Sequence, residues 1–165
     1  MYKDLWKIAV ECIEELEAIN IQVGKILSFE INYTANRRWG QCCRKPNGWH
    51  TINISYKLLA NDVDIKALKD TLFHELLHTC DGCMNHGTRW KNYADRVNKA
   101  YGYNIKRCTS AEEKNIEDDR EKLAKYKFVC EDCGQVIYRQ KASNFTKNYN
   151  LYTCGRCHGK FKRVF

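Results

Sequence analysis

The sequence predicts an α+β fold: helices packed on a small sheet, with a four-cysteine ribbon at the C-terminal end. Apolar residues recur at three- and four-residue steps in three separate segments, the mark of amphipathic helices. Between the first two of these lie short runs with a two-residue alternation and a turn signal, the mark of strands. From Phe128 onward the composition changes to paired cysteines, aromatics and basic residues.

The first helix is predicted from about Lys3 to Asn20, where Leu5, Ala9, Cys12, Ile13, Leu16 and Ile19 form one apolar face. The run ILSFEINY (26–33) reads as a strand, and a turn at KPNG leads into a second strand across WHTINIS (49–55). These two strands are expected to be neighbours. NDVDIKALKDTLFHELLHTC signals a second helix, capped by Asn61, Asp62 or Asp64, with Ile65, Leu68, Leu72 and Leu76 buried and Gly82 as its stop. Thr88 can cap a third, RWKNYADRVNKAY, in which Trp90, Tyr93, Ala94 and Val97 share a face. The stretch 107–126 is highly charged and reads as a solvated helix or linker.

With 44% apolar residues and one proline among 165, the chain has the composition of a folded protein. No apolar run approaches the roughly 18 residues of a membrane span. The N-terminus carries acids throughout its apolar stripe and lacks a signal-peptide core, so a cytoplasmic protein is expected. In a reducing compartment, C-x-x-C spacings among ten cysteines point to metal or redox chemistry and away from disulfides. The net charge of +8 is unevenly spread: residues 127–165 hold 8 Lys/Arg against 2 Asp/Glu. Such asymmetry favours an anionic partner for that end.

The stretch HELLHTCDGCMNH (74–86) carries the chemistry. His74 and His78 lie about 40° apart in helical projection, so both imidazoles can reach one metal, while Glu75 sits on the neighbouring flank. A third ligand is needed for a catalytic zinc with an open position. Asp81 lies about 10 Å along the helix axis from His74, too far for a short carboxylate. Cys80 projects to the wrong side, and no glutamate occurs between Glu75 and Glu112. Cys83 is not excluded by geometry. His86, past the Gly82 bend and beside Gly87, is the predicted third ligand. Cys12, Cys42, Cys43, Cys80, Cys83 and Cys108 are read as free thiols, buried or partly so.

Cys130, Cys133, Cys154 and Cys157 give C-x2-C-x20-C-x2-C, the spacing of a structural zinc site with no open position. Glycines are expected to shape both turns. His158 reads as a surface residue. Around the turns, Arg139, Lys141, Lys147, Arg156, Lys160, Lys162 and Arg163 alternate with Tyr138, Phe145, Tyr149, Tyr152 and Phe161, a pattern suited to nucleic acid. The same aromatics are also candidates for the ribbon's own core.

HELLH, then NHGTRW, preceded by RRWGQC and INISYKLL and followed by the four-cysteine ribbon, resembles the SprT-like zinc metallopeptidases. That group includes the Spartan proteases, which digest proteins covalently trapped on DNA. The resemblance spans roughly Leu5 to Phe165. It implies a zincin-like metallopeptidase domain over 1–106, a charged linker or helix over 107–126 and a zinc ribbon over 127–165. It further implies one catalytic Zn2+ on His74, His78 and His86, one structural Zn2+, Glu75 as catalytic carboxylate, protein substrates, and DNA as a partner in crosslink repair. TCDGC between the second and third histidines departs from the family pattern. Arg37, Arg38, Tyr93 and Tyr101 are open candidates for stabilising an oxyanion. The competing reading is a non-catalytic nucleic-acid-binding zinc protein with this fold as scaffold, and a third is a non-peptidase hydrolase.

Overall fold

The computed structural model describes residues 2–35, 38–114, 116 and 123–165. The chain divides into two compact units, Met1–Glu117 and Asp118–Phe165, each with its own core. The fold is mixed α+β. Among the described residues no helix is long and apolar enough to cross a membrane.

In the first unit, α1 (Leu5–Ala18) starts at Asp4, whose carboxylate accepts the Lys7 amide at 3.1 Å. Its face of Leu5, Ile8, Ala9, Cys12 and Leu16 is buried. Strands β1 (Ile26–Asn32), β2 (Gly40–Arg44) and β3 (His50–Ser55) form one sheet in the order β1-β3-β2. As expected, β1 and β3 are neighbours, and they run parallel. β2 pairs antiparallel with β3 across the KPNG turn. Its sequence GQCCR has neither β-branched residues nor a clear alternation, so no pattern announced it. Central β3 is buried on both faces, with Ile52 and Ile54 fully enclosed.

α2 (Ile65–Leu77) is the hub, touching α1, α3 (Thr88–Tyr101), β2 and β3. Asp64 caps it by accepting the Lys66 amide at 2.9 Å. Leu68, Leu72 and Leu76 are buried as expected, but Ile65 is half exposed because it lies in the first turn, beyond the covering elements. The helix also ends earlier than the Gly82 stop. The Thr79 hydroxyl donates to Leu76 O at 2.7 Å, and the amides of Thr79 and Cys80 bond three residues back, tightening the chain after His78. Gly82 then makes the bend in the left-handed region. On α3, Trp90, Ala94 and Val97 are buried and Tyr93 half-buried; Thr88 is the first helical residue, with Gly87 at the cap.

Residues 107–114 fold with the first unit, and Lys114 is buried there. Residues 115 and 117–122 of the expected charged segment lie outside the described residues.

The second unit is built on β4 (Tyr126–Cys130), flanked antiparallel by β5 (Val136–Arg139) and β6 (Phe161–Arg163), with a one-turn α4 (Asn144–Lys147). Phe128 is fully buried, with Phe145 and Tyr149 against it and Phe161 against Phe145. Both cysteine turns use one geometry. The amide of the fourth residue after the first cysteine returns to that cysteine's carbonyl: Gly134 to Cys130 at 3.1 Å, His158 to Cys154 at 2.8 Å. That residue is left-handed in both, with φ of 69° at Gly134 and 62° at His158. Glycine meets the requirement at the first turn; at the second, an exposed histidine does, which the expectation of two glycine-shaped turns missed. A β-carbon in this region costs about 1–2 kcal/mol, partly offset by the greater freedom of glycine when unfolded. His158→Gly should therefore stabilise the ribbon by about 0.5–1 kcal/mol, seen as slower zinc loss to a chelator; faster loss would show that the histidine is held by something other than turn geometry.

Candidate metal centre

α2 places His74 and Glu75 in its last turn and His78 at its C-cap; the Gly82 bend and the approach to α3 return His86 to them. His86 Nε2 lies 2.9 Å from His74 Nε2 and 3.2 Å from His78 Nε2. Donors about 2.0–2.1 Å from one tetrahedral ion sit at about this separation.

Proton bookkeeping favours a cation. His74 Nδ1 lies 2.9 Å from Lys106 O and His78 Nδ1 2.7 Å from Cys83 O. A carbonyl only accepts, so each Nδ1 carries the hydrogen and each Nε2 presents a bare lone pair. Three such nitrogens face one another with at most one proton, on His86, to share. Burial, with the neighbouring His78 charge next, lowers the His74 pKa to about 4. Burial also lowers those of His78 and His86. The imidazoles are thus neutral and ready to ligate near pH 7, and the donor set is consistent with zinc.

Trp90, almost fully buried, packs its ring 4.8, 5.6 and 4.6 Å from the rings of His74, His78 and His86, and its Nε1 donates to His74 O at 3.4 Å. Sequence periodicity marked it as core; the histidines are what it packs against.

Glu75 is buried, and burial pushes its pKa up to about 7, opposed by the Cys42 amide that bonds its carboxylate. That amide belongs to β2. Ser55 N donates to Trp39 O and Lys45 N to Trp49 O, so the odd-numbered backbone groups face β3 and the amides of 40, 42 and 44 lie on the outer edge. The closest pass is at Gly40, where a Cβ would lie 2.6 Å from Glu75 Oε1 and 2.7 Å from its Cγ. Only glycine fits.

The remaining predicted residues divide. Among the described residues the two clusters of metal-binding geometry are the three histidines and the four ribbon cysteines; Cys42, Cys43, Cys80 and Cys83 join neither. Cys83 contributes only its carbonyl. Burial pushes the thiols of Cys12, Cys42 and Cys80 up to about 12, as inert core groups. Cys108 is exposed, contrary to expectation; it lies in the stretch between the buried residues Ile105 and Lys114. Arg38 lines the cavity beside His74 and Glu75, whereas Tyr93 lines a separate one and the Tyr101 hydroxyl donates to Glu15 O at 2.8 Å. Arg37 lies outside the described residues.

In the ribbon, Cys130 and Cys157 sulfurs lie 3.4 Å apart and those of Cys133 and Cys154 3.7 Å apart. The Arg156 amide, then that of Cys157, lowers the Cys154 thiol to about 7, toward the thiolate a metal needs. Arg139, Lys141, Lys147, Arg156, Lys160, Lys162 and Arg163 are all exposed. The aromatics largely are not: Phe145, Tyr149 and Phe161 build the core and Tyr138 is half-buried, which leaves Tyr152 exposed.

The SprT-like family's sequence profile matches residues 11–109. Protein SprT-like of Bacillus subtilis (strain 168) is 28% identical over 120 residues, covering 70% of this chain and 71% of the relative. The namesake from Bacillus velezensis (strain DSM 23117 / BGSC 10A6 / LMG 26770 / FZB42) is 28% identical over 119 residues with the same coverage. A 37-residue match to Protein SprT-like of Streptococcus equi subsp. equi (strain 4047) reaches 40% identity over 22% of the chain and 23% of that relative. Metal analysis should find about two zinc ions per purified chain, one for each cluster; His86→Ala should remove one and Cys154→Ser the other. A single zinc unaffected by His86→Ala would break the histidine assignment.

Proposed function

The chain belongs to the SprT-like family, and from that membership and its three converging imidazoles we propose that it is a zinc-dependent endopeptidase with a zincin-like catalytic domain, acting on DNA-associated or DNA-crosslinked proteins in the cytoplasm. The observation that carries the hydrolytic part is Glu75, buried beside neutral metal-ready imidazoles with a pKa near neutrality. His74, His78 and His86 would hold a zinc ion, which when bound would supply Lewis acidity and activate water near pH 7. Glu75 would accept the proton of the attacking water on its carboxylate and then deliver it to the leaving amine. A group with a pKa near the working pH serves both transfers. The Cys42 amide holds the carboxylate in place, and the free edge of β2 offers backbone groups along which an extended peptide can align. A scaffold role needs the histidines but not a buried carboxylate, so Glu75 favours catalysis.

The DNA part rests on the ribbon's exposed cations, whose charge follows phosphates. With most aromatics spent on the core, phosphate contact outweighs base stacking, so affinity should fall steeply with salt. Glu75→Gln should lower cleavage of a DNA-bound protein by about 10²–10⁴-fold at unchanged zinc content. Replacing Lys160, Lys162 and Arg163 by Gln should weaken DNA binding while cleavage of a free peptide persists. Full activity in Glu75→Gln would refute the peptidase. Gly40→Ala, which drives a methyl into the Glu75 side chain, should cost about 10²-fold in rate with zinc retained, assayed on the same peptide.

A further inference from the structure

A cavity of about 310 Å3 opens beside His74 and Glu75, at the small end of the range for ligand pockets. Its lining is cationic. Arg38, Lys106, Arg107 and Lys114 face Asp70 and Glu75. Lys106 is neutralised by Glu113 at 2.9 Å, and the Asp70 carboxylate accepts the Asn104 amide at 3.0 Å. Lys114 differs from the others in being 4% exposed. Its ammonium donates to Thr71 Oγ1 at 2.7 Å and to Ala67 O at 3.0 Å, and among the described residues no carboxylate comes within ion-pair distance.

Burying an ammonium is costly, which shows in its pKa, lowered to about 8 by burial against the opposing charges of Asp70 and then Glu113. Anchoring the 112–114 turn to α2 would be met as well by a neutral donor. Asp70 and Glu113 act on that charge without an ion pair to it among the described residues, so an anion entering the cavity would be the first to contact it directly. Thr71 stands one helical turn before His74 and Glu75, so the ammonium lies about 5 Å along the α2 axis from them. Lys114 and Arg107 line the same cavity as His74 and Glu75, so both cations stand beside the histidine cluster.

Resting on the peptidase reading, we infer that this cavity is a substrate subsite for a carboxylate side chain, an Asp or Glu near the scissile bond, with Lys114 at its floor and Arg38 and Arg107 at its rim. A cavity this small, walled by Glu75, takes one side chain of a peptide lying across the zinc. The phosphodiester of a nucleic acid is the competing anion.

The test uses the full zinc-loaded chain carrying Glu75→Gln, so that binding is measured without turnover. The probes are hexapeptide amides of alanine with a single Glu scanned through the positions, each paired with its Gln counterpart. At one position the Glu peptide should bind about tenfold more tightly, and Lys114→Met should reduce that ratio below about threefold. Should Lys114→Met fail to fold, Arg107→Gln, an exposed change, must lower the ratio. Equal binding at every position, a ratio untouched by these variants, or Lys114-dependent displacement of the Glu peptide by a single-stranded oligonucleotide would overturn the subsite. Wild-type cleavage of the same peptides separates the two claims. Discrimination in binding without any cleavage leaves the subsite and removes the peptidase. Cleavage of both peptide sets with no discrimination in binding does the reverse.

Discussion

Three imidazole nitrogens facing one another without enough protons to satisfy them form the constraint from which the rest of the first unit follows. The outward nitrogens of His74 and His78 must be committed to carbonyls, or the rings could turn or protonate. Those carbonyls come from Lys106, 32 residues beyond His74, and from Cys83, only five residues beyond His78. The early end of α2, the tightened turn through Thr79 and Cys80, and the Gly82 bend all set where Cys83 O and His86 fall. Trp90 then closes the apolar side of the cluster, which keeps the rings dry and neutral.

The helical spacing made His74, Glu75 and His78 legible, because ligand geometry and helix period are the same regularity. The pattern favours His86 over Cys83, which spacing leaves open, because it stands past the Gly82 bend beside Gly87, and its Nε2 does meet those of the other two histidines. What stayed hidden depends on contacts across the fold. GQCCR lacks a strand signal, so neither β2 nor the approach of Gly40 to Glu75 could be read from pattern. RWGQC was noticed as a string, but its physical content is a backbone pressed against a carboxylate. Lys114 was hidden for the opposite reason: it stands in a charged stretch where solvation is the default reading, and only tertiary packing buries it. Ile65 shows the same limit, an apolar residue on the right stripe with nothing above it.

In the ribbon the four-cysteine spacing was legible because each pair needs one tight turn and nothing else. Its aromatics were ambiguous in sequence, and the structure resolves them by size. So few residues enclose Phe128 that Phe145, Tyr149 and Phe161 are all consumed in doing it. A unit with so small a core would draw most of its folding free energy from a metal held by its four cysteines. The left-handed His158 closes the turn that Cys154 and Cys157 begin, its amide donating to Cys154 O at 2.8 Å.

The two clusters set opposite electrostatic problems, and their surroundings answer each. Four thiolates around a dication leave net negative charge, which backbone amides such as that of Arg156 and the nearby cations relieve. Three neutral imidazoles leave the dication's charge unreduced, and one buried carboxylate, Glu75, removes only part of it. Further cations beside such a centre are unfavourable unless something anionic is to be brought in. Lys114 and Arg107 are nonetheless near enough to depress the histidine pKa values. Placing positive charge there costs stability in the empty cavity, and on the proposed peptidase reading a peptide carboxylate entering it would recover that cost as binding energy.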